Sequence, residues 1–514
     1  MKRKNILLFV LLGVFAYSCT EDTLDTVPTD KTTKEEVFKT VENAYSTING
    51  IYRAFYVADD IWSDSYGTEN FGIASVNLAS DLMGDDLLMH EQGSAWFWYD
   101  YRYWVRTEVN STSDRPFVWW NMFYKHINNA NYVLANIDAA KGEEVERNNV
   151  KGQAHAIRAF AYLHLIQFYQ RTYIGHENDP GVPLYTEPTT KETEGKGRGT
   201  VEEVYTQINS DLDAAIALLK KASPQRHKSH IDLYVAYGLK ARVAMVQNKW
   251  GDAASFAKLA REKSGLEKMT KAELQGGFNT VNASGWMWGS EINEDQSTSW
   301  YSFFNHMDAG VEGHGYKARK CISKWLYDQI GDNDVRKTWF KGAIPEEEEE
   351  SKGVNVSYNQ MKFRVKSAGS WASDYIYMRV AEMYLIQAEA ECRLGNFGTA
   401  RTLLKEVISY KDPDFDSVVD AVSDGTTLNL NTAGPVLNLL DLIILQRRIE
   451  LWGEGFRVQD IMRLKTGFDR NYDGTNHKDK TTISDPESWE WIMMIPQKEF
   501  DGNINMDPTK DQNP

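Results

Sequence analysis

The sequence predicts a mainly α protein, built from paired helices that carry long loop-rich insertions and only a few short strands. Three observations lead there. Apolar residues recur at three- and four-residue intervals through many windows, the period of a helix with one buried face. Hydrophobic residues make up 42% of the 514 and charged residues 25%, a balance that supplies a large core and excludes a disordered chain. The 36 Gly and 13 Pro are too few for a collagen-like or linker-dominated protein.

At the start of the chain, Lys2, Arg3 and Lys4 precede an apolar run from Ile6 to Ala16, followed by Ser18 and Cys19. A basic start, a short apolar run and small residues before the cysteine read as a signal peptide over 1–18. The run is too short to span a bilayer, which takes about 20 apolar residues, and no later stretch is longer. Cys19 stands where a bacterial lipobox has its lipidated thiol. The motif is similar enough to make Cys19 the expected attachment point to a lipid bilayer, with 19–34 as a polar tether. Two regions follow, 35–235 and 236–514.

The helices come next. Val37, Phe38, Val41, Ala44, Tyr45, Ile48 and Tyr52 give a helix over 35–54, and the same spacing predicts helices over 119–137 and 151–169. Thr200 with Glu203 three residues on is a capping box opening a helix to about Lys220. Helix pairs are expected at 232–247 with 252–263 and at 374–394 with 399–409. These pairs match each other at a constant offset: Tyr237 with Tyr384, Ala241 with Ala388, Trp250 with Phe397, Ala253 with Ala400. The small residues and the aromatic after the turn resemble the tetratricopeptide pattern. The pairs are not in tandem, so a simple solenoid is not expected. Insertions at 57–115 and 265–372 separate the helical hairpins, and such loops are where a helical scaffold carries function.

Net charge is −16, which disfavours nucleic acid as a partner. No nucleophile elbow, Walker loop or dinucleotide fingerprint is present, so no catalytic residue and no cofactor is assigned. Asp469, Asn471 and Asp473 match the first half of an EF-hand loop, but Lys480 stands where the bidentate Glu is required, so a turn is expected there rather than calcium. Cys321 and Cys392 are isolated, and spacing alone leaves a disulfide between them open.

Aromatic residues are the promising chemistry: 16 Trp, 26 Tyr and 21 Phe. Trp96, Trp98, Tyr99, Tyr101 and Trp104 crowd one insertion, and Trp286, Trp288, Trp300 and Tyr301 the other. A flat ring covers the C–H face of a sugar while neighbouring polar groups bond its hydroxyls. These nine residues are the candidate ligand contacts, with core packing as the competing use of each.

Four stretches carry a further pattern: the Arg158-Ala159-Phe160 helix leading to Gly181-Val182-Pro183-Leu184; Arg379, Ala381, Glu382, Tyr384, Ala388 and Glu389; Arg447, Glu450, Leu451, Glu454, Gly455, Arg457, Asp460 and Arg463; and Ile495-Pro496 with Gln512-Asn513-Pro514. Together they resemble the SusD/RagB family of outer-membrane nutrient-uptake lipoproteins. Gln446 stands where the family often has an acidic residue. Acidic residues just after Cys19 are also similar to the surface-export signal of Bacteroidota lipoproteins. The charged motif residues sit at helical spacings suited to ion pairs, and a structural network is expected of them, with Gly455 ending their helix.

The resemblance implies a SusD-like fold and a cell-surface lipoprotein of the outer membrane. It would bind oligosaccharide and deliver it to a SusC-like TonB-dependent transporter. Two other readings stay open: a tetratricopeptide-type adaptor lipoprotein and a surface glycoside hydrolase.

Overall fold

The computed structural model describes residues 34–57, 67–104, 114–297 and 300–514. Cys19 and the tether lie outside the described residues. The helix expected over 35–54 is broken. The Thr40 hydroxyl accepts the Asn43 N–H and starts α1 (Val41–Ala54), after a separate short turn at Lys34–Val37. In the first insertion, α2 (Ile73–Met83) is buried on nearly every side.

The scaffold is a layered array. It comprises α3 (Asp114–Asn136), α4 (Glu144–Tyr169), α5 (Val201–Leu219), α6 (Leu233–Val246), α7 (Trp250–Lys263), α8 (Val380–Arg393) and α9 (Phe397–Ile408). Each helix packs on the next. The Thr200 capping box forms as expected: its hydroxyl accepts the Glu203 N–H and the Glu203 carboxylate accepts the Thr200 N–H. Asp232 caps α6 by accepting the Tyr234 and Val235 N–H groups.

Two hairpins that are remote in sequence are neighbours in space, because α7 packs directly on α8. Ala253, Ala257 and Ala260 of α7 and Ala388 and Ala390 of α8 are fully buried, and small residues let the axes approach. Arg261 Nε donates to Gln387 Oε1 (2.9 Å), and Arg242 Nε donates to Glu382 Oε1 (2.6 Å), from α7 and α6 into α8. The array is therefore more continuous than the sequence order implies, with the second insertion looped out of it.

The helix expected from Asp374 begins only at Val380. Residues Tyr375–Arg379 are instead strand β6. They pair antiparallel with β4 (Trp286–Ser290) and so close the base of that insertion. The other strands also form two-stranded antiparallel ladders: β1 (Leu87–Met89) with β5 (Lys320–Ile322), β2 (Pro180–Pro183) with β3 (Arg198–Thr200), and β7 (Phe468–Asp469) with β8 (Thr482–Ile483). The β1–β5 ladder joins the first insertion to the second.

The charged motif is a buried network, as expected. Glu450, at the end of α10 (Leu439–Glu450), accepts from Arg379 Nη1 (2.6 Å), Lys411 Nζ (2.7 Å) and Arg336 Nη1 (3.1 Å). Glu454 takes Arg379 and Lys362, Arg447 pairs with Asp460, and Arg463 pairs with Glu389. Gly455 does not end the helix, which stops at Glu450. Gly453 (φ +76°) and Gly455 (φ +91°) together turn the chain into α11 (Arg457–Leu464), and a Cβ at either would strike Phe363 or Asn77. The terminal motif is also structural: Asn513 Nδ2 donates to the Tyr169 and Met493 carbonyls.

Cys321 and Cys392 are both free and buried, and burial pushes each thiol up to about 12. Asp469 lies in β7, where its Oδ1 accepts the Asn471 N–H and the Thr482 hydroxyl as a turn residue does. Among the described residues, no group of three or more His, Cys, Asp or Glu side chains could hold a metal ion. No described helix is long and apolar enough to cross a membrane.

A candidate ligand face of aromatic rings

Segment 93–104 alternates between rings that anchor it and rings that face outward. Phe97 is buried 5.0 Å from the His306 ring and 5.9 Å from Phe71. The Tyr101 hydroxyl accepts the Lys478 and Asp479 N–H groups, and Tyr103 packs on Phe468 and Trp491. Asp100 accepts from Arg115 Nη2 at 2.8 Å. The anchored turn holds Ala95, Phe97 and Tyr103 at φ of 69°, 62° and 64°. A left-handed backbone costs a side-chain-bearing residue about 1–2 kcal/mol, and such strain gathers at functional sites.

That conformation leaves Tyr99 48% exposed and stacked on Trp104, centroids 5.3 Å apart at 28°. The Arg102 guanidinium lies 4.0 Å from the Trp104 centroid. Trp98 is half-buried and packs at 5.6 Å on Tyr101.

The second insertion reaches the same place through His314. Trp96, from the first insertion, lies 6.1 Å from the His314 ring, and Trp300, from the second and 52% exposed, lies 5.5 Å from it. His314 stacks in turn on His306 at 4.7 Å. Burial holds His306 well below the usual histidine range and lowers His314 to about 4. Both imidazoles are therefore uncharged at neutral pH, which suits a hydroxylated, uncharged ligand. Trp371 lies beside this group, close enough that a Cβ on Gly313 would meet its ring at 3.1 Å.

Of the nine candidate rings, Trp96, Trp98, Tyr99, Trp104, Trp300 and Tyr301 are at least partly accessible. Trp286, Trp288 and Tyr101 are corrections: each has no accessible surface, and a ring without an open face cannot receive a sugar. Trp288 sits among Phe55, Phe160 and Tyr377, with its Nε1 donating to the Ser229 carbonyl. The β4 strand carries both of these Trp residues inward. The residues that sequence reasoning missed are His314, Arg102 and Trp371. Arg102 was signalled by its place inside the aromatic run 96–104 and His314 by the neighbouring Gly310, Gly313 and Gly315, whereas no sequence signal marked Trp371.

Asp85 and Asp86, an adjacent carboxylate pair, are buried and taken up by Arg457 and Arg448. That environment holds the Asp85 carboxyl below its usual range: burial alone would raise it, but the two guanidiniums outweigh burial. The pair is structural.

Fold and face together define a helical-array binding protein with a loop-built aromatic surface. Two family models match the chain, together over more than half of its length. One, described as the SusD family, matches residues 347–514, and one, described as starch-binding and associating with the outer membrane, matches residues 85–245. The chain belongs to the SusD/RagB family. Two SusD-like proteins of Formosa agariphila are similar to it. One is 23% identical, covering 90% of this chain and 92% of the relative; the other is 25% identical, covering 98% and 99%. A solved SusD-like carbohydrate binding protein from Bacteroides vulgatus superposes with a TM-score of 0.75 at 27% identity, covering 91% of this chain and 98% of that one. A laminarin binding SusD-like protein shares the fold with a TM-score of 0.66 at 20% identity, over 93% and 100% of the two chains.

Proposed function

We propose that the protein is a cell-surface glycan-binding lipoprotein, held on the outer membrane through Cys19, that captures oligosaccharide and passes it to a SusC-like TonB-dependent transporter. The observation that carries the binding step is the meeting of Trp96 and Trp300, from separate insertions, edge-on at one uncharged His314. Three features suit a neutral sugar: exposed rings for its C–H face, neutral imidazoles, and strained backbone held by buried anchors. Family membership supports the reading, as do neighbours whose names state laminarin or surface-glycan binding. The helical array offers a rigid face for the transporter, and capture and release need no bond to be broken. A lipid tether raises the effective concentration of the site at the membrane, so modest affinity suffices.

The test is a binding screen of the purified protein against neutral oligosaccharides, repeated with Trp300→Ala and Tyr99→Ala. Binding that both variants weaken supports the face. Absence of binding to every glycan, or binding that neither variant changes, ends this reading. Co-purification of a TonB-dependent barrel tests the delivery step, and loss of Cys19→Ala protein from the membrane fraction tests the anchor.

A further inference from the structure

We infer that the protein has a second sugar site, lined by residues separate from those of the aromatic face. It is a cavity of about 290 Å³ between the start of α3, the loop after β2 and the C-terminal turn Gln497–Gly502. None of the rings at the aromatic face lines it. This inference rests on the glycan-binding reading for its ligand class and on its own geometry for its place.

Trp120, Tyr124 and Tyr185 supply ring surface to the cavity, Phe117 lies 4.1 Å under the Lys498 ammonium, and Glu499 and Asn503 supply the polar end. Glu499 is fixed by two donors from buried residues. Its Oε2 accepts the Trp120 Nε1–H at 3.0 Å, and its Oε1 accepts from Asn503 Nδ2 at 2.8 Å. Asn503 Nδ2 is itself held by the Lys196 carbonyl. Each carboxylate oxygen thus has one donor in place and lone-pair capacity left. Two neighbouring oxygens so oriented accept two neighbouring hydroxyls, as a vicinal diol presents them.

Tyr185 adds the opposite polarity. Its hydroxyl oxygen accepts the Lys196 N–H at 3.0 Å, so its own proton is available to a ligand oxygen. Tyr124 has spent its proton on the Pro183 carbonyl and offers an acceptor. Ring walls with a fixed pair of acceptors and one donor match a single hexose or pentose ring better than an aliphatic or anionic ligand. An anion would meet the Glu499 carboxylate at the polar end, while Lys498, the one cation lining the cavity among the described residues, lies over the Phe117 ring. An aliphatic group would leave the carboxylate desolvated and unpaired, which is costly.

The probes are methyl glycosides of glucose, galactose, mannose and xylose, observed by saturation-transfer NMR with the purified protein. The backgrounds are wild type, Trp300→Ala, and Trp300→Ala combined with Glu499→Gln or with Tyr185→Phe. A sugar signal should persist in Trp300→Ala and fall about tenfold in affinity when either second change is added. Tyr185→Phe keeps the ring and guards against a folding artefact, and unchanged thermal unfolding confirms it. No signal in Trp300→Ala, or a signal indifferent to both Glu499→Gln and Tyr185→Phe, overturns the second site. The aromatic-face reading fails separately, if Trp300→Ala leaves oligosaccharide binding of the wild type unchanged.

Discussion

Replacing Glu450 with Gln should destabilise the protein by about 3–5 kcal/mol, the usual cost of removing one partner from a buried ion network. The Glu450, Lys411 and Arg336 side chains have no exposure and Arg379 has 2%. After the change, Arg379 keeps Glu454 and Arg336 keeps Asp334. Lys411 loses the one carboxylate it touches among the described residues, so most of the cost falls there. With an unfolding entropy of about 2 cal/mol/K per residue, a cooperative chain of this length should show a Tm lower by about 3–5 °C.

Urea and thermal unfolding at neutral pH give the cost directly. Burial alone would raise the Glu450 carboxyl, but Lys411, Arg379 and Arg336 outweigh it and hold it well below its ordinary value. Its contribution is therefore present above the unfolded value near 4.3 and is lost as pH falls through the folded one. The gap between wild type and variant should narrow in acid. A double-mutant cycle supplies the control: Lys411→Met should cost several kcal/mol less in the Glu450→Gln background than alone, by roughly the 3–5 kcal/mol of the broken pair. A cost under about 1 kcal/mol, the scale of an exposed pair, or equal costs of Lys411→Met in both backgrounds, would refute the assignment of the network to stability.

Three further outcomes are expected. Trp288→Ala should cost about 3–5 kcal/mol of stability, whereas Trp300→Ala should cost within about 0.5 kcal/mol yet weaken oligosaccharide binding; denaturant titration and calorimetry check both, and the reverse pattern contradicts the division between core and face. Burial raises the Asp81 carboxyl to about 7 despite the Arg457 and Gly455 N–H groups it accepts. Wild type should therefore lose stability relative to Asp81→Asn as pH rises from about 4 towards 7, by up to about 1.4 kcal/mol per unit, and a pH-independent difference would show that Asp81 is charged throughout. Thr200→Ala should cost about 0.5–2 kcal/mol by opening the capping box, and Thr200→Asn should restore most of it.

The legible parts of this fold are local. The Thr200 cap needs only a hydroxyl and a carboxylate three residues apart, and the α4 and α5 helices follow from apolar spacing. The Arg447, Glu450, Glu454 and Arg457 cluster was legible as a structural network from its charges, but not its partners: the helix stops at Glu450, and Glu450, Glu454 and Arg457 pair with the distant Arg336, Arg379, Lys411, Lys362 and Asp85. The departures at residues 375–379 and at Trp286 and Trp288 share one cause, which is that strand partners are decided by distant residues. Residues 375–379 have helical neighbours and become strand because β4 offers a ladder. Trp286 and Trp288 have the composition of a sugar platform, and the same ladder turns them into the core.

By itself, the sequence determined the mainly α class, the family, the charged motif and the two insertions where a ligand surface could form. The tertiary structure decided which rings are open. It did so by anchoring Phe97, Tyr101 and Tyr103 inward and setting Trp96 and Trp300 around His314. The physical reason is that periodicity and capping act within a few residues, whereas the exposure of a ring depends on everything that packs around it.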